Sequence, residues 1–286
     1  MIKAITLRSF PESMPWRDCF RQCLEAGFEG VEVNFDGMFD LDCSLKTLKA
    51  IKQTAGKYKI KIVSVYSRRQ WQMPISSPDR RKRENGRKVI ARMIGIAEIL
   101  EAPTVLVIPG AVDNSILSKE IEIVPYNEVY NRALEALSSL ASAASRKGIT
   151  LALENVPNKF LLSPLEMRNF IDKIGAPSAG CYFDVANCLY NGGYPEQWIR
   201  ILGHRIKAVH LKDFRLAIGN QEGFTGIFEG DVNWTEVCRA LAEINYNGAL
   251  VSEVLPAYKH HPEMLWINAG MAIDRIICDI KNQKSF

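Results

Sequence analysis

Residues 151–155 read Leu151-Ala152-Leu153-Glu154-Asn155, a short apolar run of strand type that ends on a carboxylate and an amide. Runs of this kind recur along the chain and alternate with amphipathic stretches, often with Gly or Pro at the junction. Their interiors are largely apolar, as at residues 105–108, which is typical of a sheet covered on both faces. Because strands joined through helices pair in parallel by right-handed crossovers, the pattern predicts an α/β fold.

Eight strand–helix units can be read from this pattern. The predicted strands are Ile2–Leu7, Gly30–Phe35, Ile60–Tyr66, Thr104–Ile108, Ile149–Glu154, Ala179–Asp184, Arg205–Leu211 and Ala249–Val254. The predicted helices are Trp16–Ala26, Leu45–Lys57, one capped by Ser77, Tyr126–Arg146, one capped by Ser163, Pro195–Leu202, Trp234–Ile244 and one that runs to Ile280. Eight units without a linker predict a single (β/α)8 TIM barrel over residues 1–286. A doubly wound open sheet is the alternative, but no Gly-x-Gly-x-x-Gly follows the first strand.

Composition limits the class of partner. The chain has 36 Lys and Arg against 32 Asp and Glu, a mild excess of +4 that is spread along the sequence. This charge argues against a dedicated nucleic-acid binder and is compatible with an anionic small substrate. No apolar run approaches the ~18 residues of a membrane-spanning helix. The seven cysteines include no Cys-x-x-Cys pair, and residues 1–7 lack a signal-peptide cleavage pattern, so a cytoplasmic location is expected.

Four consecutive strands in the second half end on ionisable residues. These residues, which we call the rim cluster, are Glu154, Asp184, His210 and Glu253. A barrel places its active site at the C-terminal ends of its strands, so the four side chains should meet at one rim. Their charges would repel one another without a cation between them. Three carboxylates and an imidazole suit one divalent ion, Mn²⁺ or Mg²⁺ by preference and Co²⁺ or Zn²⁺ acceptably. For any one residue alone, a hydrogen bond to a neighbouring loop is the alternative.

Five segments resemble signature segments of the sugar phosphate isomerase/epimerase family, which has a xylose-isomerase-like barrel and includes D-tagatose 3-epimerases, hydroxypyruvate isomerases and inosose dehydratases. They are Leu-Glu-Asn at 153–155, Phe-Asp-Val-Ala-Asn at 183–187, Val-His-Leu-Lys-Asp at 209–213, Glu-Gly-Asp-Val-Asn-Trp at 229–234 and Ser-Glu-Val at 252–254. The resemblance extends from the opening strand to Glu253. It implies that the rim cluster holds one divalent metal ion and that Glu154 and Glu253 form an acid/base pair flanking the substrate carbon.

The resemblance also points to substrate-binding positions. Many members carry a histidine three residues after the metal aspartate, and this chain has Asn187 there. Asn187 can donate and accept hydrogen bonds but cannot titrate. An arginine in the loop after the metal histidine is expected to contact the substrate, and Arg215 is the candidate.

Further candidates lie at the ends of the second and third strands. Glu32 and Asn34 are candidate partners for sugar hydroxyls, and a polar layer inside the barrel is the alternative. Arg68 and Arg69 follow strand three, where Arg68 could pair with a phosphate or carboxylate of the substrate. An exposed pair of loop residues is the alternative reading of the two arginines.

Together, the residues and the resemblance predict a metal-dependent isomerase or epimerase of a small keto sugar or keto sugar phosphate. The reaction would remove a proton next to a carbonyl and pass through an enediolate. Dehydration of a cyclic polyol ketone, as in the inosose type, begins with the same step and is the alternative, as is a non-catalytic sugar-binding barrel. The related DNA endonuclease barrels need a multi-zinc cluster, but of four histidines only His210 ends a strand. The expected partner is a small sugar, not nucleic acid or membrane, and a homo-oligomer is left open.

Overall fold

Eight parallel strands close into a barrel in the computed structural model, which describes residues 1–116, 118 and 120–283. The barrel strands are β1 (Ile2–Thr6), β2 (Gly30–Asn34), β3 (Lys61–Tyr66), β4 (Thr104–Val107), β5 (Thr150–Glu154), β6 (Ala179–Asp184), β7 (Ile206–Leu211) and β10 (Ala249–Ser252). They pair in chain order, and β1 closes the barrel against β10, with Ile2 opposite Ala249. Two short strands after β7, β8 (Asp213–Phe214) and β9 (Phe224–Thr225), pair antiparallel. The predicted (β/α)8 barrel is confirmed.

Helices lie between and after the barrel strands. They are α1 (Trp16–Glu25), α2 (Leu45–Lys57), α3 (Arg69–Gln72), α4 (Arg80–Leu100), α5 (Tyr126–Ser145), α6 (Pro164–Ile174), α7 (Val185–Tyr190), α8 (Pro195–Leu202), α9 (Trp234–Glu243) and α10 (Glu263–Gln283), with short 3₁₀ turns at Leu7–Ser9, Gly203–Arg205 and Gln221–Gly223. The short helices α3 and α7 are additions to the predicted set. Among the described residues, no helix combines the length and apolar character needed to cross a bilayer.

Helix capping agrees with the sequence at α6 and differs from it at α4. The Ser163 hydroxyl accepts a hydrogen bond from the backbone N–H of Glu166 and caps α6 as predicted. The predicted cap of α4, Ser77, is wrong. The carboxylate of Asp79 caps this helix by accepting from the N–H of Arg81, while the hydroxyl of Ser77, two residues earlier, accepts from the N–H of Asp79.

The strands separate two layers of core. Because successive side chains of a strand point to opposite faces, alternate residues face the helices and the barrel interior. Val31 and Val33 belong to the large cluster between strands and helices. Ala4, Ala152 and Tyr182 belong to the smaller cluster inside the barrel. Towards the C-terminal ends of the strands the inward positions become polar, and there the barrel mouth holds its ionisable groups.

Candidate metal centre and active site

The four residues of the rim cluster come together at the barrel mouth. Glu154 and Asp184 are the last residues of β5 and β6, His210 lies in β7, and Glu253 directly follows β10. The sheet register sets Asp184 opposite His210 and sets His210 opposite Val251, two residues before Glu253. All four residues are buried, and one ligand atom from each lies within 4.8 Å of the others.

The imidazole of His210 is at the centre of this group. Its Nδ1 lies 2.9 Å from Oε1 of Glu154, 3.6 Å from Oε2 of Glu253 and 3.7 Å from Oδ2 of Asp184. The ring therefore directs one nitrogen at three carboxylates. This is a hard oxygen donor set completed by one imidazole nitrogen, which fits a divalent cation of the Mg²⁺, Mn²⁺ or Zn²⁺ kind.

Two cationic side chains also touch the rim cluster. The ammonium of Lys212 donates to Asp184 and, at 2.8 Å, to Oε2 of Glu253, while the guanidinium of Arg8 donates to Oε1 of Glu253 at 2.9 Å. Lys212 is 8% exposed. Neither residue was predicted as part of the site. For Lys212 the sequence offers a signal, the two-residue period of a strand, because Lys212 follows His210 on the inward face. Arg8 lies in the 3₁₀ turn after β1, where this period does not apply.

Burial and nearby charges shift the pKa values of the two glutamates in opposite directions. Burial raises the pKa of Glu154 to about 7, an effect that the adjacent His210 opposes. Burial also acts on Glu253, but the positive charges of Lys212, His210 and Arg8 outweigh it and hold the pKa of Glu253 well below its usual range. The surrounding carboxylates raise the pKa of His210 well above its ordinary value against the effect of burial. Paired carboxyls with separated pKa values are typical of acid/base sites.

A cavity of about 330 Å³ opens over the rim cluster. Glu154, Glu253 and Lys212 contribute to its polar part, and Asn187 lines it as well. The remaining wall is mostly apolar or aromatic and includes Tyr66, Trp71, Ile116, Val156, Phe224 and Leu255. The volume is within the range of small-ligand pockets, and the combination of apolar walls with a few convergent polar groups is typical of them.

A second cavity of about 660 Å³ adjoins the first and shares Arg8, Leu255 and Pro256 with it. Asn34, Arg68 and other residues of the loops after β1, β2, β3 and β10 line this outer cavity. We call the cavity over the rim cluster the inner cavity and its neighbour the outer cavity.

Of the substrate-binding residues predicted from the sequence, some line the inner cavity, some line the outer cavity and some line neither. Asn187 lines the inner cavity, and its backbone N–H donates to Oδ1 of Asp184 at 2.7 Å. Asn34 and Arg68 line the outer cavity. Glu32 is fully buried beneath His210, inside the barrel rather than in the lining of either cavity.

The two remaining arginines face acidic partners. Arg69 is bound to Asp40 and Asp42 through its guanidinium. Arg215 donates through Nε to the carbonyl of Glu229 at 3.0 Å, is about half exposed and lies outside the lining of both cavities. In the structure Arg215 is therefore not brought together with the rim cluster.

Two other motif residues are structural supports of the rim. The amide of Asn155 makes two hydrogen bonds of 2.8 Å with the backbone N–H and C=O of Asp184, so it fixes one ligand relative to the next strand. The carboxylate of Asp213 accepts from the indole N–H of Trp234 at 2.7 Å and from the backbone of the same loop. A Cβ on Gly230 would lie 2.4 Å from Oδ1 of Asp213, so only glycine fits where this loop passes.

The sequence matches the profile of the xylose isomerase-like TIM barrel family over residues 20–272. The chain belongs to this family. The match covers most of the barrel, including the whole rim cluster. It also accounts for the closed ring of parallel strands and the position of the ionisable groups at its C-terminal end.

Individual relatives of this xylose isomerase-like chain are distant. It is 22% identical to an Escherichia coli (strain K12) protein provisionally named as an L-ribulose-5-phosphate 3-epimerase, with 95% of this chain and 96% of that protein aligned. It is 26% identical to the inosose dehydratase of Clostridium botulinum (strain Alaska E43 / Type E3) over 44% of this chain and 47% of that enzyme. The structure of D-psicose 3-epimerase with D-tagatose from Clostridium cellulolyticum H10 superposes with a TM-score of 0.79 at 16% identity, covering 98% and 99% of the two chains.

Proposed function

We propose that this protein is a divalent-metal-dependent isomerase or epimerase of a small keto sugar or keto sugar phosphate. One observation carries the proposal. Two buried glutamates with opposite pKa shifts, Glu154 and Glu253, line one small cavity and belong to the same potential metal-binding group. A site of this kind can remove a proton from carbon and return one.

The rim cluster would hold one divalent ion, with Mn²⁺ or Mg²⁺ favoured by its three carboxylates and Co²⁺ or Zn²⁺ acceptable. When bound, such an ion supplies Lewis-acid chemistry: it polarises a substrate carbonyl and stabilises the negative charge of an enediolate. The protein's own residues would contribute to the reaction in three further ways: the acid/base pair transfers protons, the nearby cations stabilise negative charge, and the cavity walls exclude water.

Glu253 would accept the substrate proton. The charges of Lys212 and Arg8 keep this carboxylate ionised, and it borders the inner cavity. Glu154, the other glutamate on the wall of the inner cavity, would deliver a proton to the substrate carbon. Return to the opposite face of the same carbon gives an epimer, and return to the neighbouring carbon gives an isomer.

Neighbouring groups would bind the substrate and exclude water. The side chain of Asn187 can both donate to and accept from a sugar hydroxyl. Lys212 lies in the inner cavity, where its positive charge favours an enediolate over the neutral ketone. The rings of Trp71 and Phe224 limit access of bulk water to the reacting carbon.

An anionic end of the substrate would extend into the outer cavity. Arg68 and Lys259 are exposed side chains on its wall, and Arg8 stands where the two cavities meet. Charge-assisted hydrogen bonds from such groups favour a phosphate over a hydroxyl at this end. The phosphate named in the Escherichia coli relative supports the same substrate class. The sequence predicts substrate contacts by Glu32 and Arg215 as well, but the structure favours neither, since neither residue lines the inner or the outer cavity.

Deuterium uptake tests the proposed reaction. Purified protein with Mn²⁺ is incubated in D₂O with matched pairs of a ketose and its terminal phosphate, and the recovered sugars are analysed by mass spectrometry and NMR. We expect one deuterium at a carbon next to the carbonyl, together with a new epimer or isomer, and greater uptake with a phosphate. Glu253→Gln serves as the control with the base removed. Sugar binding without exchange for any tested compound would contradict catalysis and favour a binding barrel.

Dehydration is the second candidate, because it begins with the same proton abstraction and because part of the chain is similar to an inosose dehydratase. The products distinguish the two reactions. Loss of water from a cyclic polyol ketone, with no epimer formed from open-chain ketoses, would favour the dehydratase. An epimer of unchanged mass apart from deuterium would favour the epimerase.

A further inference from the structure

The second ring nitrogen of His210 faces away from the carboxylates of the rim cluster. Nε2 is completely buried, makes no hydrogen bond with any described residue and lies 3.4 Å from Oε2 of Glu32. A buried N–H that lacks a partner destabilises the folded state. The carboxylate of Glu32 is the acceptor placed to receive it.

A set of donors holds Glu32 in place. Its Oε2 accepts from the hydroxyl of Ser64 at 2.9 Å and from the hydroxyl of Tyr182 at 3.0 Å, and Oε1 lies 3.4 Å from the amide of Asn34. The Tyr182 ring also packs on the imidazole of His210, with ring centroids 4.3 Å apart. Glu32, Ser64, Tyr182 and His210 have no solvent exposure. This arrangement fixes both the carboxylate and the ring that it faces.

We propose that Glu32 is a positioning residue, which orients His210 by accepting a hydrogen bond from its Nε2–H and so directs Nδ1 at the rim cluster. The inference rests on the proposed metal centre, since the orientation matters for a ligand nitrogen. It differs from a sugar-binding role for Glu32, which would require a place on a cavity wall.

The chemistry of imidazole explains why an acceptor is needed at this position. A neutral imidazole carries a proton on one nitrogen and a lone pair on the other, and only the nitrogen with the lone pair can bind a metal ion. In the ion-bound state, a carboxylate at Nε2 would keep the remaining ring proton there and leave the lone pair of Nδ1 free to bind, and Nδ1 is the nitrogen nearest the three acidic ligands. Partners of this kind fix ring orientation and strengthen the ligand.

Glu32→Gln tests the proposal, because the amide keeps the volume and an oxygen for Ser64 and Tyr182 but loses the charge. Mn²⁺ affinity is measured by titration, and the His210 Nε2–H resonance is followed in ¹⁵N-histidine-labelled protein loaded with diamagnetic Mg²⁺. We expect ~10–100-fold weaker Mn²⁺ binding, the range typical of lost partners of a metal-binding histidine, and an upfield shift of Nε2–H. Tyr182→Phe, which removes one donor to Glu32, should weaken binding less and serves if Glu32→Gln fails to fold.

Ser252→Ala is the matched control. Ser252 is also fully buried at the C-terminal end of a barrel strand, but its hydroxyl has no hydrogen-bond partner among the described residues. This variant should keep both the Mn²⁺ affinity and the Nε2–H resonance. Folded Glu32→Gln protein with wild-type affinity and an unchanged resonance would overturn the positioning role. A wild-type protein that binds no Mn²⁺ would instead contradict the proposed function, and the resonance in metal-free protein would still decide the Glu32 contact.

Discussion

Replacing Lys212 by methionine should make the metal-free protein less stable and its metal binding tighter. The ammonium of Lys212 touches Asp184 and Glu253, two residues of the rim cluster, at a site where the lysine is 8% exposed. A divalent ion bound by the cluster would use oxygens of the same two carboxylates. The lysine therefore competes with the ion both for these oxygens and through its charge, whereas methionine is of similar size and neutral.

The size of the effect follows from burial. Removing one partner of a buried ion pair costs about 3–5 kcal/mol, because the remaining charge is left without compensation. At about 2 °C per kcal/mol for a chain of this length, Lys212→Met should lower the Tm of metal-free protein by about 6–10 °C. A metal ion compensates the same carboxylates, so most of this loss should be absent from the metal-bound state. A difference of about 3 kcal/mol corresponds to roughly 100-fold tighter Mn²⁺ binding.

Thermal unfolding with and without Mn²⁺, together with calorimetric titration, measures both quantities. Lys207→Met is the control, because Lys207 lies in β7, the strand that Lys212 directly follows, but its ammonium donates to the backbone carbonyl of His204. The control should change neither the metal affinity nor the metal-induced rise in Tm. A Lys212→Met protein that binds Mn²⁺ no more tightly than wild type, and gains no additional stability from it, would contradict competition between the lysine and the ion.

Three further predictions concern pH, the acid/base pair and the substrate's anionic end. Mn²⁺ affinity should rise tenfold or more per pH unit below about pH 7, because Glu154 and His210 lose protons on binding. Glu154→Gln should lower this slope by about one proton per ion, and an unchanged slope would count against the raised pKa of Glu154. Glu154→Gln and Glu253→Gln should each reduce turnover by on the order of 10²-fold or more in steady-state assays while keeping part of the metal binding. Proton exchange at the wild-type rate in either variant would exclude the replaced residue as an acid or base. Arg68→Ala should raise the KM for a ketose phosphate by ~10-fold and have little effect on the KM for the free ketose. Arg215→Ala should leave both KM values almost unchanged. The reverse pattern would place the anionic end of the substrate at Arg215.

The barrel and the rim cluster could be predicted because both depend on strand periodicity. Apolar runs separated by helices require parallel pairing, and the residues that end such runs must lie at one rim. The identities of Glu154, Asp184, His210 and Glu253 therefore translated directly into a spatial cluster. Strand ends differed from prediction by a residue or two, which left the inward and outward faces unchanged.

Contacts that depend on the path of loops could not be predicted. Arg8 lies in a 3₁₀ turn, Leu7–Ser9, that directly follows β1, and its guanidinium reaches Glu253 from there. The strand-end position of Glu32 predicts a contact with a sugar hydroxyl, yet in the structure this residue lies one layer deeper in the barrel and faces His210. Arg215 fits the family's spacing only approximately, and its guanidinium turns to the carbonyl of Glu229. Sequence order shows which strand supplies a residue, while depth within the barrel follows from the stagger between strands.

Calorimetric titration of metal-free protein with Mn²⁺ shows whether the rim cluster is a metal centre. The wild type should bind one ion per chain, and Asp184→Ala and His210→Ala, each checked for folding by circular dichroism, should lose most of that binding. These two variants remove ligands from neighbouring strands and leave the glutamate acid/base pair intact. Full occupancy in both variants, or no binding by the wild type, would contradict a metal centre built from the rim cluster.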